Sequence, residues 1–401
     1  MTRIVILGGG FGGLYTALRL NQFTWSNRPP EIVLVEKHDR FLFSPLLYEL
    51  ITNEVQSWEI APAYADILAN TSIRFLQDEV TDIEAGEGKN QVTLKNNGTF
   101  NYDYLTVALG GKTPTSQVKG VDKYAIPFRT LEDAYRLKEK LRSLENSDKE
   151  YIRVVIAGGG CSGVELALKI AARLGKRGKI RIVERNDSLL RSLSPFNRKT
   201  ASAALEKAKC WVDLETEVVE VKEGEVSLCY KNQIDTIPAD IVVWTVGTKP
   251  AIPPGLANKL TLPTTLDGKI EINSYLQVFG MPHIWAIGDL AACQDEKGNR
   301  LPATAQVAIQ QADYCAWNIW ATIENKPLLP FKYQPLGEML ALGAESATMQ
   351  ALGVSLSGNL AYLARRLIYL YRLPTIEHQI AVAFSWMTTP LTNLLKSLEA
   401  V

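Results

Sequence analysis

A glycine pattern of the form G-x-G-x-x-G occurs twice in this sequence, each time between an apolar β-branched run and a helical pattern. The glycines of the pattern are Gly8, Gly10 and Gly13 in the first copy and Gly158, Gly160 and Gly163 in the second. In such a motif the first glycine makes a tight turn, the second lets a pyrophosphate approach the backbone, and the third lets the helix pack closely on the strand. The N-terminus of that helix then receives the phosphate charge.

A glutamate at the end of the next apolar run completes each copy. Glu36 follows residues 32–35, and Glu184 follows residues 180–183. A carboxylate at this point can bind the ribose hydroxyls of a dinucleotide. One fingerprint alone is weak evidence, but two complete units predict an α/β chain with two Rossmann-like domains and two bound dinucleotides.

Length and composition narrow the class of protein. The chain has 401 residues, which is enough for about two or three domains, and its 46% hydrophobic content is enough for substantial cores. Its formal net charge is zero, so we expect no nucleic-acid partner. The first strand begins at Arg3, so no targeting segment is expected before it, and no apolar run is long enough to predict a spanning helix.

A Gly288-Asp289 pair follows another apolar run far downstream. Together with the first fingerprint, it resembles the FAD-binding arrangement of the pyridine nucleotide–disulfide oxidoreductase superfamily, in which a late Gly-Asp holds the ribityl and phosphate region of the flavin. The resemblance implies that Asp289 is this aspartate, and an ordinary helix N-cap is the alternative. Gly110 and Gly247 match the glycines that end apolar strands beside the cofactors, with simple strand termination as their alternative.

The cysteines distinguish between branches of that superfamily. Reductases that pass electrons from flavin to a thiol pair need two nearby cysteines. The five cysteines here are scattered and include no C-x-x-C motif, which also fits a reducing compartment. Cys161 lies inside the second fingerprint, where a small residue fits a crowded turn. We therefore expect a diffusible electron acceptor, and we expect no metal site.

Residues 304–312 match the pattern A-Q-x-A-x-Q-Q and resemble the type II NADH dehydrogenases, which are NAD(P)H:quinone oxidoreductases. The resemblance implies that Ala305 and Gln306 lie nearest the flavin and that Gln310 faces the quinone. An amide can donate a hydrogen bond to a quinone carbonyl without adding charge. The alternative is a helix whose glutamines are solvated.

The resemblance covers nearly the whole chain. Residues 43–49 are similar to the family's flavin-flanking Pro-Leu-Leu segment, residues 242–247 to its W-T-x-G strand, and residues 331–343 to its post-quinone hairpin. Glu165 matches the glutamate after the second fingerprint. We expect it at the nicotinamide–flavin junction, orienting the nicotinamide or relaying protons to quinone, and a helix-surface glutamate is the alternative. General similarity is greatest to the cyanobacterial and plastid branch, which includes demethylphylloquinone reductase.

These matches imply a set of functional residues. The predicted catalytic residues are Glu165, Gln306 and Gln310. The predicted cofactor-binding residues are Gly8, Gly10, Phe11, Gly12, Gly13, Glu36, Lys37, Pro45, Val80, Gly110, Asp289, Ala305, Gln306, Gly158, Gly160, Gly163, Glu184 and Gly247. Glu184 favours NADH because a carboxylate repels a 2′-phosphate. Arg185 and Arg191 are close enough in sequence to help bind that phosphate, so NADPH stays open as the donor.

The predicted domains are an FAD-binding domain at residues 1–115 and 275–330, an NAD(P)H-binding domain at 116–274, and a C-terminal hairpin and membrane-anchoring region at 331–401. Residues 359–373 have an amphipathic helical pattern. Its apolar face comprises Leu360, Leu363, Leu367, Ile368, Leu370 and Tyr371, opposite Arg365, Arg366 and Arg372. This face, like the family's C-terminal anchor, predicts monotopic contact with one membrane leaflet. Packing on the protein's own core or on a dimer partner is the alternative.

The predicted function is a flavin-dependent NAD(P)H:quinone oxidoreductase that passes hydride from NADH or NADPH to FAD and then two electrons to a membrane quinone, without pumping protons. The branch resemblance makes a demethylphylloquinone-type naphthoquinone the candidate substrate. The predicted location is the cytoplasmic side of a membrane, which is the thylakoid or plasma membrane if the source is cyanobacterial. The alternatives are a reductase for another acceptor, such as a ferredoxin, and a redox-sensing flavoprotein module. A homodimer stays open.

Overall fold

The computed structural model describes residues 1–85, 90–253 and 262–399, with side chains described through residue 388. The contacts group the chain into two compact units, each of which holds one fingerprint. The first unit comprises residues 1–42, 61–112 and 248–334, and the second comprises residues 43–60, 113–247 and 335–401. This division differs from the predicted domains for residues 43–60, 113–115, 248–274 and 331–401.

A six-stranded sheet forms the core of the first unit. Its strands, in spatial order, are Gln277–Val278, Met281–Ala286, Tyr104–Val107, Arg3–Leu7, Glu31–Glu36 and Arg74–Gln77. Neighbouring strands are parallel except for the first pair, which is antiparallel. Strand Arg3–Leu7 is buried from Ile4 to Leu7, as a continuous apolar run predicts for a central parallel strand.

Two small sheets and several helices complete the first unit. One antiparallel sheet contains Val80–Glu84, Gln91–Leu94 and Gly98–Asn101, and a second pairs Gly111–Lys112 with Lys249–Pro250. The helices are Phe11–Asn21, Tyr64–Ile67, the 3₁₀ turn Gly288–Leu290 and Ala305–Ile323. Helix Ala305–Ile323, called the glutamine helix below, packs against Phe11–Asn21, the helix of the first fingerprint.

A five-stranded parallel sheet forms the core of the second unit. Its strands, in spatial order, are Trp211–Asp213, Gly178–Val183, Ile152–Ala157, Ile241–Trp244 and Ala125–Pro127. As in the first unit, the fingerprint strand lies between the next strand of the βαβ unit and a later apolar strand. This order is typical of Rossmann folds. The two sheets confirm the predicted pair of Rossmann-like units.

The second unit also contains two antiparallel sheets. One is formed by Thr216–Lys222, Glu225–Tyr230 and Gln233–Pro238, and the other by Glu338–Ala341, Ala347–Ala351 and Val354–Gly358. Its helices are Ser44–Leu50 (3₁₀), Ser57–Ile60, Val121–Tyr124, Leu131–Glu145, Cys161–Leu174, Gly175–Arg177 (3₁₀), Pro195–Lys207, Asn359–Tyr371 and Ile376–Glu399. The last two are called the first and second tail helices. Within the described part of the chain, no helix is long and apolar enough to cross a bilayer.

Candidate functional site

The first fingerprint has the geometry of a dinucleotide-binding loop. Gly8 has a positive φ of +98°, and a Cβ atom there would lie 2.3 Å from the Ala108 carbonyl oxygen. A Cβ atom on Gly13 would lie 1.8 Å from the Gly8 carbonyl oxygen. A Cβ atom on Gly10, in contrast, would meet no atom of the described residues within 4 Å. The fold itself therefore requires glycine at two positions, whereas the space beside Gly10 fits an approaching pyrophosphate.

Glu36 closes this loop from the end of the neighbouring strand. Its Oε2 accepts a hydrogen bond from the Gly9 amide at 2.8 Å, and its Oε1 accepts from the His38 amide at 3.1 Å. On the other side of the loop, the buried Tyr64 hydroxyl donates to the Gly9 carbonyl at 2.7 Å. Burial raises the pKa of Tyr64, so the hydroxyl keeps its proton and remains a donor. The loop is thus fixed from two directions before a ligand binds.

The Gly288-Asp289 pair forms part of the same unit. Gly288 has a positive φ of +79°, and its amide donates to Oε1 of the fully buried Gln311 at 2.7 Å. Asp289 lies inside the 3₁₀ turn Gly288–Leu290, whose N-cap is Ile287. Asp289 is therefore not a helix N-cap, and that alternative is wrong. Gln311 joins this turn to the glutamine helix.

The predicted quinone residues, Gln306 and Gln310, are half-buried and lie one turn apart on the glutamine helix. The helix begins after Thr304, whose hydroxyl accepts from the Val307 amide at 3.3 Å. Gln306 Oε1 accepts from the Tyr333 hydroxyl at 2.5 Å. The Gln310 side chain donates to the Gln334 carbonyl at 2.9 Å and accepts from its amide at 3.0 Å. Both glutamines thus bind the segment that follows the helix, so they are not simply solvated.

The remaining predicted FAD-binding residues vary in their surroundings. The Phe11 ring packs edge-on against Phe41, with ring centroids 5.3 Å apart. Val80 is 8% exposed and belongs to the apolar core, whereas Lys37 is exposed at the end of its strand and Ala305 is half-buried in the first turn of the glutamine helix. Gly110, three residues after strand Tyr104–Val107, has a φ of +71°, a conformation that favours glycine. The predicted cofactor contacts of these residues stay predictions.

Two further predicted residues, Gly12 and Pro45, occupy different units. A Cβ atom on Gly12 would lie 3.1 Å from Cδ1 of Ile287, so the fingerprint helix passes close to the strand that precedes the Gly-Asp turn. Pro45 falls in the second unit, in the 3₁₀ helix Ser44–Leu50. Its predicted contact with flavin stays a prediction.

The second fingerprint repeats the geometry of the first. Gly158 has a φ of +107°, and a Cβ atom there would lie 2.7 Å from Oγ1 of Thr245. A Cβ atom on Gly163 would lie 1.9 Å from the Gly158 carbonyl oxygen, while one on Gly160 would meet none of the described atoms within 4 Å. Glu184 is buried, and its Oε2 accepts from the Gly159 amide at 2.7 Å. This loop fits a second dinucleotide in the same way.

Local structure accounts for two residues near the second fingerprint loop, Gly247 and Cys161. Gly247, three residues after strand Ile241–Trp244, has a φ of +75°, a conformation that favours glycine, and it lies against Pro114. Cys161 is the first residue of helix Cys161–Leu174, and burial raises the pKa of its thiol to about 12. The thiol therefore stays protonated at neutral pH and is a poor nucleophile.

Glu165, on the fingerprint helix of the second unit, is buried at 6% exposure. Its Oε1 accepts from the Tyr48 hydroxyl at 2.6 Å and from the Ala341 amide at 2.8 Å. The alternative of a helix-surface glutamate is therefore wrong. Burial raises the pKa of Glu165 to about 7, outweighing the charge of Arg365 and the hydrogen bond from Tyr48. The carboxyl group can thus hold or release a proton near neutral pH.

Arg365, from the first tail helix, is fully buried beside this acid. Its guanidinium donates to Glu49 Oε1 at 2.5 Å, to the Tyr48 hydroxyl at 2.6 Å and to the Pro45 carbonyl at 3.1 Å. Arg366 donates to Glu49 Oε2 at 2.9 Å. Burial favours the neutral form of Glu49, but the charge of Arg365, with Lys169 and Arg366, holds the pKa of Glu49 below its usual value. Both arginines were predicted on the polar face of the helix, but Arg365 is buried and the Arg366 side chain is only 12% exposed.

The free energy of unfolding should depend on pH because the pKa of Glu165 is raised in the folded protein. Its pKa is about 7 in the folded protein against an ordinary value of 4.5, so the folded state retains a proton that the unfolded chain releases between these values. The free energy of unfolding therefore falls as the pH rises from 4.5 to 7. In Glu165→Gln the amide oxygen can keep both hydrogen bonds. We expect the variant to match wild type near pH 5 and to exceed its stability at pH 8 by on the order of 3 kcal/mol.

Chemical denaturation at the two pH values would measure this effect. The control variant is Glu338→Gln, which changes a half-buried carboxylate of the same unit in place of the buried Glu165. An equal stability difference between Glu165→Gln and wild type at both pH values would contradict the raised pKa.

Comparisons with known proteins agree with this geometry. A family model described as pyridine nucleotide-disulphide oxidoreductase matches residues 2–312. The demethylphylloquinone reductase NdbB of Synechocystis sp. is 52% identical, over 98% of this chain and 98% of its own length. The chain belongs to the type II NADH dehydrogenase family. The alternative NAD(P)H-ubiquinone oxidoreductase C1, chloroplastic/mitochondrial, of Arabidopsis thaliana is 40% identical over 99% of this chain and 83% of its own.

A solved type II NADH dehydrogenase has the same fold. NDH2 from Plasmodium falciparum, in complex with NADH, superposes with a TM-score of 0.84 at 18% identity, over 97% of this chain and 98% of that one. The predicted family is thus confirmed, together with its cofactor types, FAD and NAD(P)H. The roles assigned to individual residues of this type II NADH dehydrogenase stay predictions.

Sequence analysis missed several residues that shape the site in this family member. Gln311 lies inside the matched glutamine motif, three positions after the buried Ala308, and its place on that buried face could have marked it as structural. Tyr64 and Tyr48 lie in loops and short helices with no periodic signal, far in sequence from their partners Gly9 and Glu165. No local pattern identifies such pairs.

Proposed function

We propose that this chain is an FAD-dependent NAD(P)H:quinone oxidoreductase. The observation that carries the proposal is the hydrogen bond between Gln311 and the Gly288 amide, which seats the glutamine helix on the Gly-Asp turn. Because of this bond, the helix that carries Gln306 and Gln310 also holds the Gly288-Asp289 turn, which is proposed to bind the flavin. When bound, FAD would supply the redox chemistry, which is hydride transfer from NAD(P)H followed by transfer of two electrons to a quinone.

The residues of the first unit would bind FAD and the acceptor. Glu36 has the position of a ribose-binding carboxylate, and Gly10 leaves room for the pyrophosphate. Gln306 and Gln310 supply amide groups without charge, which suits a neutral quinone carbonyl. Gln310 would also hold the segment around Gln334 in place, since one of its N–H groups donates to the Gln334 carbonyl.

The residues of the second unit would bind NAD(P)H and handle protons. The open space at Gly160 suits a pyrophosphate, and the helix after it offers its N-terminus to the phosphate charge. Reduction of a quinone to a quinol consumes two protons in addition to two electrons. Glu165 is a buried acid whose pKa of about 7 is matched to operation near neutral pH, so it is the group in this unit best suited to hold such a proton.

A naphthoquinone of the demethylphylloquinone type is the proposed acceptor. Its support is the 52% identity with a demethylphylloquinone reductase over almost the entire length of both chains. Steady-state oxidation of NADH and NADPH by the purified flavoprotein, with a panel of naphthoquinones, benzoquinones and a ferredoxin, tests this choice. We expect the highest kcat/KM with a naphthoquinone. Turnover with ferredoxin that exceeds turnover with every quinone would favour the alternative acceptor.

The tail helices support docking on a membrane surface. Several large apolar side chains of these helices are exposed, namely Leu360, Leu363, Leu367, Ile368, Tyr371, Ile376, Ile380, Phe384 and Met387. In the first tail helix, two arginine side chains point inward, since Arg365 is fully buried and Arg366 pairs with the buried Glu49. A helix that buries its arginines and exposes its leucines is suited to contact an apolar partner surface through the exposed leucines. We propose one leaflet of a bilayer, on its cytoplasmic side, as that surface.

Charge placed on this apolar face should release the protein from membranes. In Leu363→Glu with Leu367→Glu, two exposed side chains would have to carry charge into the bilayer interface. We expect liposome co-sedimentation to fall by roughly tenfold or more, because burying each carboxylate costs more than 1 kcal/mol. Reduction of long-chain quinones in liposomes should fall with it, while turnover of water-soluble quinones should persist.

A matched control adds the same charge elsewhere. Tyr230 and Ile234 are exposed apolar residues of the paired strands Glu225–Tyr230 and Gln233–Pro238 in the same unit, so Tyr230→Glu with Ile234→Glu should leave liposome binding unchanged. Membrane binding by the tail variant that equals binding by this control would contradict docking through the tail helices.

A further inference from the structure

Within the described part of the chain, both hydrogen bonds to the Glu165 carboxyl group are donated to the same oxygen atom. The Tyr48 hydroxyl donates to Oε1 at 2.6 Å, and the Ala341 amide donates to Oε1 at 2.8 Å. A carboxyl oxygen has two lone pairs, so these two donors occupy Oε1 as an acceptor. When Glu165 is protonated, its proton therefore lies on Oε2.

The direction of the Tyr48 hydroxyl is set by Arg365. Nη2 of Arg365 lies 2.6 Å from the Tyr48 hydroxyl oxygen. A guanidinium has donors but no acceptor, so Tyr48 accepts this bond and its own proton points to Glu165. Burial raises the pKa of Tyr48 well above its usual value, so the hydroxyl keeps that proton. The two hydrogen bonds from Arg365 to Tyr48 and from Tyr48 to Glu165 thus have one possible direction.

Arg365 is fixed in turn by the groups around its guanidinium. It donates to Glu49 Oε1 and to the Pro45 carbonyl oxygen, and it lies 5.5 Å from the ring centre of Tyr48 and 4.7 Å from that of Tyr369. The guanidinium is fully buried among these partners. The helix whose exposed leucines are proposed to contact the membrane therefore also supplies, on its inner side, the residue that orients the hydroxyl beside the acid.

Other ionisable side chains come close to this arrangement from several elements. Those that act on Glu165 or on its neighbours are Cys161 and Lys169 on its own helix, Tyr369 on the first tail helix, Glu49 and Glu54 in or after the 3₁₀ helix Ser44–Leu50, and Glu338 on the strand that carries Ala341. Lys169 is buried and pairs with Glu54, which offsets its charge. The hydrogen bond from Tyr48 is thus a direct and separable influence on the acid.

We propose that Tyr48 and Arg365 are positioning residues, which orient Glu165 so that Oε2 carries the proton that quinone reduction consumes. This inference rests on the proposed role of Glu165 as the proton-holding acid and adds the two residues that orient it. In the transfer, the O–H bond at Oε2 breaks and an O–H bond forms on a quinone oxygen. Both electrons come from NAD(P)H, and a proton from solvent restores the acid.

Infrared titration of the purified flavoprotein measures the protonation of Glu165 without turnover. The carbonyl stretching band of a protonated carboxyl group disappears as the pH rises through its pKa, and Glu165→Gln identifies the band. We expect wild type to titrate near the pKa of about 7 that burial produces. Tyr48→Phe keeps the ring but removes the donor, so the pKa of Glu165 should rise by about one pH unit. The band should also move to higher frequency, because the carbonyl oxygen Oε1 loses a hydrogen bond.

Tyr369→Phe is the matched control, since it removes the hydroxyl of another tyrosine that packs on the same guanidinium. It should leave both the frequency of the band and the pKa of Glu165 as in wild type. Near-ultraviolet circular dichroism equal to that of wild type shows that each variant is folded.

A double variant tests whether Arg365 acts through Tyr48. Arg365→Lys keeps the charge near Glu165 but not the several donors of the guanidinium, so it should raise the pKa of Glu165 by less than Tyr48→Phe does. Added to Tyr48→Phe, it should bring no further rise, because the hydroxyl through which it acts is already absent. A rise in the double variant equal to the sum of the two single rises would show that Arg365 acts independently of Tyr48.

The pH dependence of flavin reoxidation by a soluble naphthoquinone links this orientation to the reaction. Reoxidation should slow as the pH rises through the pKa of Glu165, and in Tyr48→Phe this loss should move to higher pH by the same amount as the infrared titration. An unchanged band and pKa in Tyr48→Phe, or equal changes in Tyr369→Phe, would overturn the proposal. A flavin that quinone does not reoxidise at any pH would refute the proposed function, whereas the infrared bands would still show whether Tyr48 orients Glu165.

Discussion

The purified Gly10→Val protein is expected to fold but to lose its FAD. Gly10 has an extended backbone, with φ −69° and ψ −166°, which valine readily adopts, and the added side chain would meet no described atom within 4 Å. The valine would instead occupy the space that a pyrophosphate needs. Such a steric conflict costs about 1–3 kcal/mol or more, which weakens binding by roughly fivefold to more than a hundredfold. The ratio of flavin to protein absorbance after purification measures the loss.

The equivalent change in the second unit is the matched control. Gly160→Val also places a side chain in open space on an extended backbone, so this variant should retain FAD while its reduction by NADH and NADPH slows strongly. Gly13→Val should fail differently, by misfolding, because its Cβ atom would lie 1.8 Å from the Gly8 carbonyl oxygen. A full flavin spectrum in Gly10→Val, or loss of flavin in Gly160→Val, would show that the two dinucleotides have been assigned to the wrong units.

Arg365→Leu is expected to be among the most destabilising single changes in the second unit. Leucine would leave the buried Glu49 with one of its two arginine partners and would remove a donor from the Tyr48 hydroxyl. Breaking a buried ion pair by removing one partner costs about 3–5 kcal/mol. We expect a matching fall in the free energy of unfolding and increased proteolysis of the tail helices.

Arg366→Leu provides the comparison for Arg365. The Arg366 side chain is 12% exposed, and it shares the Glu49 carboxylate with the fully buried Arg365, so its loss should cost less. Arg365→Lys should lie between the two, since it keeps the charge but not the several donors of the guanidinium. Urea denaturation monitored by tyrosine and tryptophan fluorescence gives the three values. A loss from Arg365→Leu no larger than that from Arg366→Leu would contradict the buried cluster as a source of stability.

The elements that were predicted correctly are those whose sequence motifs lie within one short stretch of the chain. Each fingerprint combines an apolar strand, three glycines and a helix within a single βαβ unit, so two Rossmann-like sheets follow directly. Helix Leu131–Glu145 likewise begins at a local signal, the capping box between Thr130 and Asp133. The first tail helix, Asn359–Tyr371, also follows the amphipathic pattern from which it was predicted.

Features that depend on distant partners could not be predicted in the same way. A helical wheel divides the first tail helix into apolar and arginine faces but does not say which face is buried. The answer depends on Glu49 and Tyr48, which lie 316 and 317 positions away from Arg365. Periodicity placed Arg365 on a polar face, whereas an ion pair with a buried carboxylate places it in the interior. The same limit applies to Tyr64, whose partner Gly9 lies 55 positions away.

Anaerobic rapid mixing of the purified flavoprotein, first with NADPH or NADH and then with a soluble naphthoquinone, tests the central claim most directly. We expect the oxidised flavin absorbance to be lost with the nicotinamide nucleotide and then restored by one equivalent of quinone. Gln306→Leu and Gln310→Leu should slow the second phase more than the first, because these amides belong to the proposed quinone site. A flavin that neither nucleotide reduces, or a reduced flavin that quinone leaves unchanged while a ferredoxin reoxidises it, would contradict the account.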